Sequence, residues 1–318
     1  MAKKEEFEFL SANKKTKIHA VKWIPDTGEV RAVFQIIHGM IEYIERYEEF
    51  AEFLTEQGFV VVGHDHLGHG QSIETEDDWG FIHEQHGSDL MVSDIHALRE
   101  KVQGQYGQSP YFILGHSMGS YLLRKYLTIH GECLTSALIV GTGTMPDVMM
   151  RTGMFLCRVL AKVHGWRYRS DFVRKMSFAG PYKKFDLDGS LPENSWLTKE
   201  VEIVNHYYSE PRCTFMFTIN GYYSLMETIL YDNQTENIEK IPKELPLILI
   251  SGKDDPVGNL GEGVKKVFMQ LKKAGIWDLT CKLYENDRHE ILNETDRETV
   301  YGEILSWCLA RIDRNRNK

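Results

Sequence analysis

The stretch Tyr111-Phe112-Ile113-Leu114-Gly115-His116-Ser117-Met118-Gly119-Ser120 is the part of the sequence that best predicts the fold. Its apolar start, 111–114, indicates a buried strand, and the following segment, 120–130, indicates a helix. A serine on a sharp turn between a strand and a helix keeps its hydroxyl exposed, and glycines two residues to either side let the turn close. The amides of the helix N-terminus favour negative charge there. The pattern also arises by chance, so its weight comes from the flanking strand and helix.

Strands and helices alternate on both sides of this turn. Predicted strands cover 6–10, 17–23, 32–37, 59–63, 137–140, 247–251 and 280–284, and predicted helices cover 46–57, 89–106, 120–130, 261–274 and 297–312. Strands separated by helices are typical of a mostly parallel sheet that is covered on both faces. The predicted fold class is α/β.

One long segment interrupts this alternation. Residues 145–223 are rich in Met, Phe, Tyr and Arg and contain no short run typical of a buried strand. We therefore predict a helical cap at 145–223, inserted into a core formed by 1–144 and 224–318.

Composition limits the classes of function. The chain has 318 residues and a formal net charge of −9, which argues against the basic surface of a nucleic-acid-binding protein. We expect a cytoplasmic protein, because the N-terminus lacks the apolar core of a signal peptide and no apolar run approaches the ~20 residues of a membrane span. The five cysteines are widely spaced without a CxxC pair, so we interpret them as reduced packing residues.

A second loop follows the predicted strand 32–37 and reads His38-Gly39-Met40. An enzyme that transfers acyl groups needs two backbone N–H donors for the oxyanion, one after the nucleophile and one after an early strand. The N–H groups of Met40 and Met118 match these two positions. An ordinary turn at the end of a strand is the alternative.

Two late loops supply candidates for an acid and a base. Asp254 and Asp255 follow the predicted strand 247–251, at the end of a strand where residues converge on a ligand. Asp255 is favoured because Pro256 restricts the backbone after it, and Asp254 stays open as the alternative. His289 follows the strand 280–284, and the order Ser117, Asp255, His289 matches a Ser-Asp-His triad.

Together these motifs resemble a known family. The stretches that carry the likeness are His38-Gly39-Met40, Gly63-His64-Asp65-His66-Leu67-Gly68-His69-Gly70-Gln71-Ser72, Gly115–Gly119, Gly252–Val257 and Arg288-His289-Glu290. They are similar to the monoacylglycerol lipase and lysophospholipase group of the α/β-hydrolases, a group of the serine aminopeptidase S33 type. The resemblance implies the α/β-hydrolase fold, Ser117 as nucleophile, His289 as base, and Met40 and Met118 as oxyanion donors. It also implies Asp255 as the acid, three residues after Gly252, whereas Ser120 departs from the glycine that such turns often carry.

The histidines of the second motif allow another interpretation. His64, Asp65, His66 and His69 could ligate a metal ion, since imidazoles and a carboxylate lie within six residues. Alternation along a strand would direct His64 and His66 away from Asp65. We therefore expect a structural turn, with no metal and no cofactor.

The resulting hypothesis is a serine hydrolase of carboxylic esters, acting on monoacylglycerols, lysophospholipids or similar acyl esters. Candidate residues for an acyl pocket in the cap are Met149, Met150, Met154, Phe155, Leu156, Val159 and Leu160, although many of them could simply pack the cap onto the core. An apolar rim could also touch a membrane surface. Alternatives are a short-chain esterase or thioesterase, a non-catalytic binding protein, and a peptidase of the prolyl aminopeptidase type. The peptidase would use a cap acid such as Asp171, Asp186, Asp188 or Glu193 to bind the substrate amine.

Overall fold

A computed structural model describes residues 3–26 and 28–316, which form an α/β structure around one eight-stranded sheet. The strands are β1 (Lys3–Leu10), β2 (Lys17–Ile24), β3 (Ala32–Ile37), β4 (Phe59–His64), β5 (Tyr111–His116), β6 (Ser136–Val140), β7 (Leu247–Gly252) and β8 (Leu279–Tyr284). Their order is β1-β2-β4-β3-β5-β6-β7-β8. Strands β3 to β8 run parallel, whereas β2 is antiparallel to both β1 and β4. The predicted α/β class and mostly parallel sheet are confirmed.

The sequence of each strand reflects its place in the sheet. Strands β3 to β7 are buried along their whole length, which is why they read as continuous apolar runs instead of alternating patterns. At the edge, β1 alternates between exposed and half-buried residues. Its sequence accordingly mixes charged and aromatic side chains.

Helices cover both faces of the sheet. They are α1 (Glu48–Glu56), α2 (Gly87–Tyr106), α3 (Met118–His130), α4 (Asp147–His164), α5 (Asp171–Ser177), α6 (Val201–Ser209), α7 (Ile219–Asp232), α8 (Thr235–Ile238), α9 (Glu262–Lys273) and α10 (Arg297–Arg316). Helices α1 and α10 pack in one apolar cluster, and α2, α3 and α9 pack in the other. In the described part of the chain, no helix is both long and apolar enough to cross a membrane.

Helices α4 to α8 lie between β6 and β7. Helix α7 runs without a break through the predicted limit of the cap at residue 223 and packs against both α4 and α3. A division of the chain into cap and core therefore has to assign this helix to one unit or the other. The division at 145–223 stays a prediction.

Helix α4 has two different faces. Met150, Gly153, Met154 and Cys157 are buried, at the i, i+3, i+4, i+7 spacing of one helix stripe. The opposite side carries exposed apolar residues, among them Phe155, Val159 and Val163. Burial of the first stripe holds α4 on the protein and leaves the second stripe in contact with solvent.

The parallel arrangement brings distant loops to one edge of the sheet. The loops after β3, β5, β7 and β8 all begin at carboxyl ends of neighbouring parallel strands, the edge at which open α/β sheets bind ligands. The predicted triad residues and oxyanion donors lie on these four loops, whereas the motif 63–72 follows β4.

A buried contact between Asp232 and Arg124 joins α3 to α7. Asp232 Oδ2 lies 3.7 Å from Arg124 Nε, and both side chains are almost completely buried. Burial raises the pKa of Asp232 to about 7, against the opposing effects of Arg124 and Lys125. The folded protein therefore holds a proton at Asp232 at pH values where the unfolded chain has lost it.

Asp232→Asn is expected to remove a pH dependence of stability. The unfolded carboxyl titrates near ~4, so the contribution of Asp232 to the free energy of unfolding falls as pH rises from about 4 to about 7. Urea denaturation at about pH 5 and about pH 8 should show the wild type losing stability relative to the variant. The exposed Asp77→Asn variant is the control and should follow the wild type. An equal difference between Asp232→Asn and the wild type at both pH values would contradict the argument.

Candidate active site

Ser117 occupies the turn between β5 and α3. Its backbone has φ 54° and ψ −121°, a strained conformation for a residue with a side chain. A Cβ on Gly119 would collide with the backbone of Ile37 and His38, and a Cβ on Gly39 would lie 2.9 Å from Ser117 Cβ. The end of β3 can approach the serine only because glycine stands at both positions.

His289 and Asp255 are brought together from two different loops. The Nδ1 atom of His289 lies 3.0 Å from Asp255 Oδ1, and both side chains are buried. Asp255 also accepts hydrogen bonds from Val257 N–H at 2.8 Å and Ser251 Oγ at 3.0 Å. Burial alone would raise the pKa of Asp255, but His289 and these donors outweigh burial and lower it. The carboxylate is therefore held ionised.

The neighbouring Asp254 lies elsewhere. Its backbone N–H donates to the carbonyl of Asp287 at 2.9 Å, and its side chain is half-exposed, unlike that of Asp255. Of the two candidate acids, Asp255 is the one within hydrogen-bonding distance of the imidazole.

The two predicted oxyanion donors lie next to Ser117. Met118 is the first residue of α3, so its N–H has no acceptor within the helix. Met40 lies in the turn after β3, and both residues line the same cavity as Ser117 and His289. Both residues therefore border the space beside Ser117.

Glu42 holds the loop that contains Met40. Its Oε1 accepts hydrogen bonds from Gly39 N–H and from Tyr47 Oη at 2.9 Å, and Oε2 accepts from Arg46 at 2.8 Å. Burial would raise the pKa of Glu42, but His116 and Arg46 lower it strongly. Arg46 in turn binds Glu290 through both oxygens at 2.8 and 2.7 Å. One guanidinium thus links the loop after β3 to the residue that follows His289.

His116 forms a second link between these loops. Its Nδ1 lies 3.2 Å from Glu42 Oε1, and its Nε2 lies 3.2 Å from the carbonyl oxygen of His289. Burial lowers the pKa of His116, but the Glu42 carboxylate reverses the effect and raises it. Because each ring nitrogen faces an acceptor, both can donate when the ring is protonated.

A cavity of about 670 Å³ opens beside these residues. Its apolar wall includes Met145, Val148, Met149, Met150, Met176, Phe178, Leu225, Met226 and Ile229. Of the predicted pocket residues, Met149 and Met150 line the cavity. Met154, Leu156 and Leu160 instead pack against the core, and Phe155 and Val159 are exposed on the outer side of α4.

The histidines of the motif 63–72 form a buried cluster with His38. The rings of His38 and His66 lie 4.3 Å apart, and those of His64 and His66 lie 4.9 Å apart. Burial lowers the pKa of His64 and His69 to about 3, so these rings are neutral. Among the residues that the structure describes, no group of three or more His, Cys, Asp or Glu is arranged to hold a metal ion.

Asp65 belongs to a separate set of contacts. It accepts hydrogen bonds from the backbone N–H groups of Ile44 and Gln71, both at 2.8 Å, and lies 2.9 Å from His19 Nδ1. The second motif is thus a hydrogen-bonded turn that supports the loop after β3. His38 connects the two, since its Nε2 accepts from His66 N–H at 3.0 Å.

The acids proposed for a peptidase lie away from the cavity. Asp186 bonds to Gly189 and Ser190, and Asp171, Asp188 and Glu193 are exposed. Within the described ranges, the carboxylates that line the cavity are Glu42 and Glu290. Both already bind Arg46.

Sequence reasoning missed three residues beside the site. Glu42 and Arg46 have the i, i+4 spacing of an ion pair, which could have signalled them. Trp196 lines the cavity against His289, but it stands in the irregular part of the predicted cap. No pattern in the sequence marks it.

The fold and the site together define a serine ester hydrolase of the α/β-hydrolase class. A family model described as "Serine aminopeptidase, S33" matches residues 28–296, and the chain belongs to this family. The human protein "Monoglyceride lipase" is 27% identical over 308 residues, covering 91% of this chain and 86% of the human protein. The "Monoglyceride lipase homolog" of Monkeypox virus is 25% identical over 93% of this chain and 95% of its own length.

Solved structures agree with this assignment. A thermostable carboxyl esterase from Bacillus coagulans in complex with glycerol superposes with a TM-score of 0.87 at 30% identity, over 97% of this chain and 99% of that one. A structure described as "Lipase (Open form)" has a TM-score of 0.86 at 25% identity, over 99% of this chain and 100% of that one. The suspected relationship to monoacylglycerol lipases is confirmed at the level of the family.

Replacing Asp254 and Asp255 by asparagine, one at a time, tests which of the two acts as the acid of the proposed triad. Asp255→Asn should lower kcat by at least about a hundredfold, because the imidazole loses its orienting carboxylate. Asp254→Asn, the matched control, should stay within about threefold of the wild type, because this half-exposed side chain does not contact the imidazole. Steady-state hydrolysis of a p-nitrophenyl ester gives both numbers. Equal losses of kcat in the two variants would contradict the choice of Asp255 over Asp254 as the acid.

Proposed function

We propose that the protein hydrolyses monoacylglycerols, lysophospholipids or similar acyl esters with Ser117, His289 and Asp255 as its triad. The observation that carries the proposal is that Ser117 and His289 open onto one largely apolar cavity of about 670 Å³. A volume of this size is typical of pockets that enclose a small organic ligand. The printed names of relatives, monoglyceride lipase and carboxyl esterase, support the same class of substrate.

The first half of the reaction forms an acyl-enzyme. Because Nδ1 of His289 faces Asp255, Nε2 is left to take the proton from Ser117 as Oγ bonds to the ester carbonyl carbon. The N–H groups of Met40 and Met118 stabilise the negative oxygen of the tetrahedral intermediate. The bond to the alcohol then breaks, and His289 gives the alcohol its proton.

Water completes the cycle. His289 takes a proton from water while the water oxygen bonds to the acyl carbon, and the second intermediate uses the same two N–H donors. The bond to Ser117 Oγ breaks, and the serine recovers its proton from His289. The products are a carboxylic acid and the alcohol.

The cavity lining supports an acyl chain over a peptide as ligand. The methionines and aliphatic residues from α4, α5 and α7 provide an adaptable apolar wall. A substrate amine would need an unpaired carboxylate, whereas Glu42 and Glu290 are both already paired with Arg46. The contacts therefore favour an acyl ester over the amine-binding site of a prolyl aminopeptidase.

Ser117→Ala should abolish hydrolysis of every ester in a series of p-nitrophenyl esters from C2 to C16 and of 1- and 2-monoacylglycerols. The wild type should prefer medium or long chains, because these bury more of the apolar wall. Parallel assays with matched thioesters test the thioesterase alternative. A wild-type optimum at the shortest chain would favour the short-chain esterase, and ester hydrolysis that survives in Ser117→Ala would refute the triad.

The outer face of α4 supports a contact with lipid surfaces. Val148, Phe155 and Val163 are each more than 60% exposed and recur on one side of the helix. The same helix contributes Met149 and Met150 to the cavity wall. We propose that this face rests on the surface from which the substrate is taken.

Phe155→Glu combined with Val163→Glu should weaken binding to phosphatidylcholine vesicles by at least about tenfold, because both charges would enter an apolar interface. Hydrolysis of a soluble short-chain ester should be unchanged, since neither side chain lines the cavity. Trp277→Glu, an exposed change outside α4, is the control in vesicle sedimentation. Unchanged sedimentation of the double variant would rule out this face as the contact.

A further inference from the structure

The segment just before α6 is tied closely to the loop that carries His289. Arg288 Nη1 donates to the carbonyl oxygens of Ser195 and Thr198 at 2.6 and 3.3 Å, and Nη2 donates to that of Glu193 at 3.0 Å. We call residues 193–199 the clamp segment. Its contacts connect the predicted cap to the loop that carries His289.

The backbone continues this attachment. The N–H groups of His289 and Glu290 donate to the carbonyls of Trp196 and Leu197 at 3.4 and 2.7 Å. Lys199 Nζ lies 2.8 Å from Asp287 Oδ1, which is buried. Each residue from 287 to 290 thus bonds to the clamp segment, so the segment and the loop form one continuous piece of structure.

Trp196 covers one face of the His289 ring. The two ring centroids lie 5.1 Å apart with an angle of 25° between the planes, the geometry of a stack. The His116 ring lies 4.7 Å from the same imidazole, tilted by 38°. His289 is therefore bounded by Trp196 and His116, while Asp255 holds its Nδ1 edge.

We propose that Trp196 is a positioning residue for ester hydrolysis, fixing the plane of the His289 ring from the clamp segment. The inference rests on the proposed role of His289 as base. One hydrogen bond at Nδ1 leaves the imidazole able to tilt about that contact, and an aromatic surface against the ring restricts the tilt. The indole face also favours the imidazolium that forms as Ser117 loses its proton.

The position of Trp196 argues against a role in packing alone. The side chain is half-exposed and lines the cavity, whereas a tryptophan that serves the core, such as Trp23, is fully buried. Tyr182 and Phe178 contact its other edges at centroid distances of 5.4 and 5.9 Å. These two rings hold the indole in place against the imidazole.

Trp196→Leu, Trp196→Phe and the exposed control Trp277→Leu test the proposal. We expect Trp196→Leu to lower kcat by about tenfold to a hundredfold, the range associated with a misplaced catalytic group, with KM changed much less. Trp196→Phe should recover most of the activity because it restores an aromatic face. Trp277→Leu should match the wild type. A loss confined to KM, or no recovery in Trp196→Phe, would overturn the positioning role.

Labelling of Ser117 by a fluorophosphonate separates this inference from the proposed substrate. The labelling rate depends on activation of the serine and needs no lipid chain, so Trp196→Leu should slow it by the same factor as kcat. Labelling at the wild-type rate would refute the role of Trp196 even if monoacylglycerols prove to be the substrate. Failure of the wild type to cleave those lipids, with slowed labelling in Trp196→Leu, would refute the substrate alone.

Arg288→Gln provides a second route if Trp196→Leu does not fold. It leaves the indole in place but removes the guanidinium bonds to the clamp segment. The labelling rate should again fall, by a smaller factor than in Trp196→Leu. Thermal unfolding of each variant confirms that the comparison is made between folded proteins. An Arg288→Gln variant that is folded and labels at the wild-type rate would count against the clamp.

Discussion

The close approach of the α3 N-terminus to the end of β3 is the constraint on which the site depends. Gly119 and Gly39 leave no room for a side chain between Ser117 and the backbone of Ile37 and His38. The strained backbone of Ser117 persists because parallel strands on either side hold β5 in place. The sheet therefore fixes the relative positions of the loops that carry the site residues.

The buried carboxylates of the candidate site are paired with cations or hydrogen-bond donors, although the chain as a whole has an excess of acidic residues. The chain carries a net charge of −9, yet the carboxylates beside Ser117 each bind a buried cation or a set of N–H and O–H donors. Glu42 and Glu290 share Arg46, and Asp255 has His289, Ser251 and Val257. Buried charges without such partners would be costly, so these contacts stabilise the loops and also orient the reacting groups.

Sequence reasoning succeeded where a local pattern of residues has a single structural interpretation. Continuous apolar runs identified the buried strands, and the glycines around Ser117 identified the turn. It failed where a contact joins segments far apart in the chain, such as Arg46 with Glu290, which are 244 residues apart. Trp196 belongs to the same class, because nothing local distinguishes it from a packing residue. The pocket candidates on α4 divided for a related reason, since apolar residues on both sides of a helix do not reveal which side faces a cavity.

The buried, neutral histidines next to the loop after β3 make the stability of the fold depend on pH. His38, His64, His66 and His69 are buried, and burial lowers the pKa of each ring. In the unfolded chain the pKa of each ring returns to its ordinary value near ~6.5. Below that pH the unfolded state therefore binds protons that the folded state does not bind. Acidification therefore shifts the equilibrium towards the unfolded state. The buried imidazole cluster, whose rings meet in tilted and edge-to-face contacts, makes the support of the proposed oxyanion loop a point of acid sensitivity.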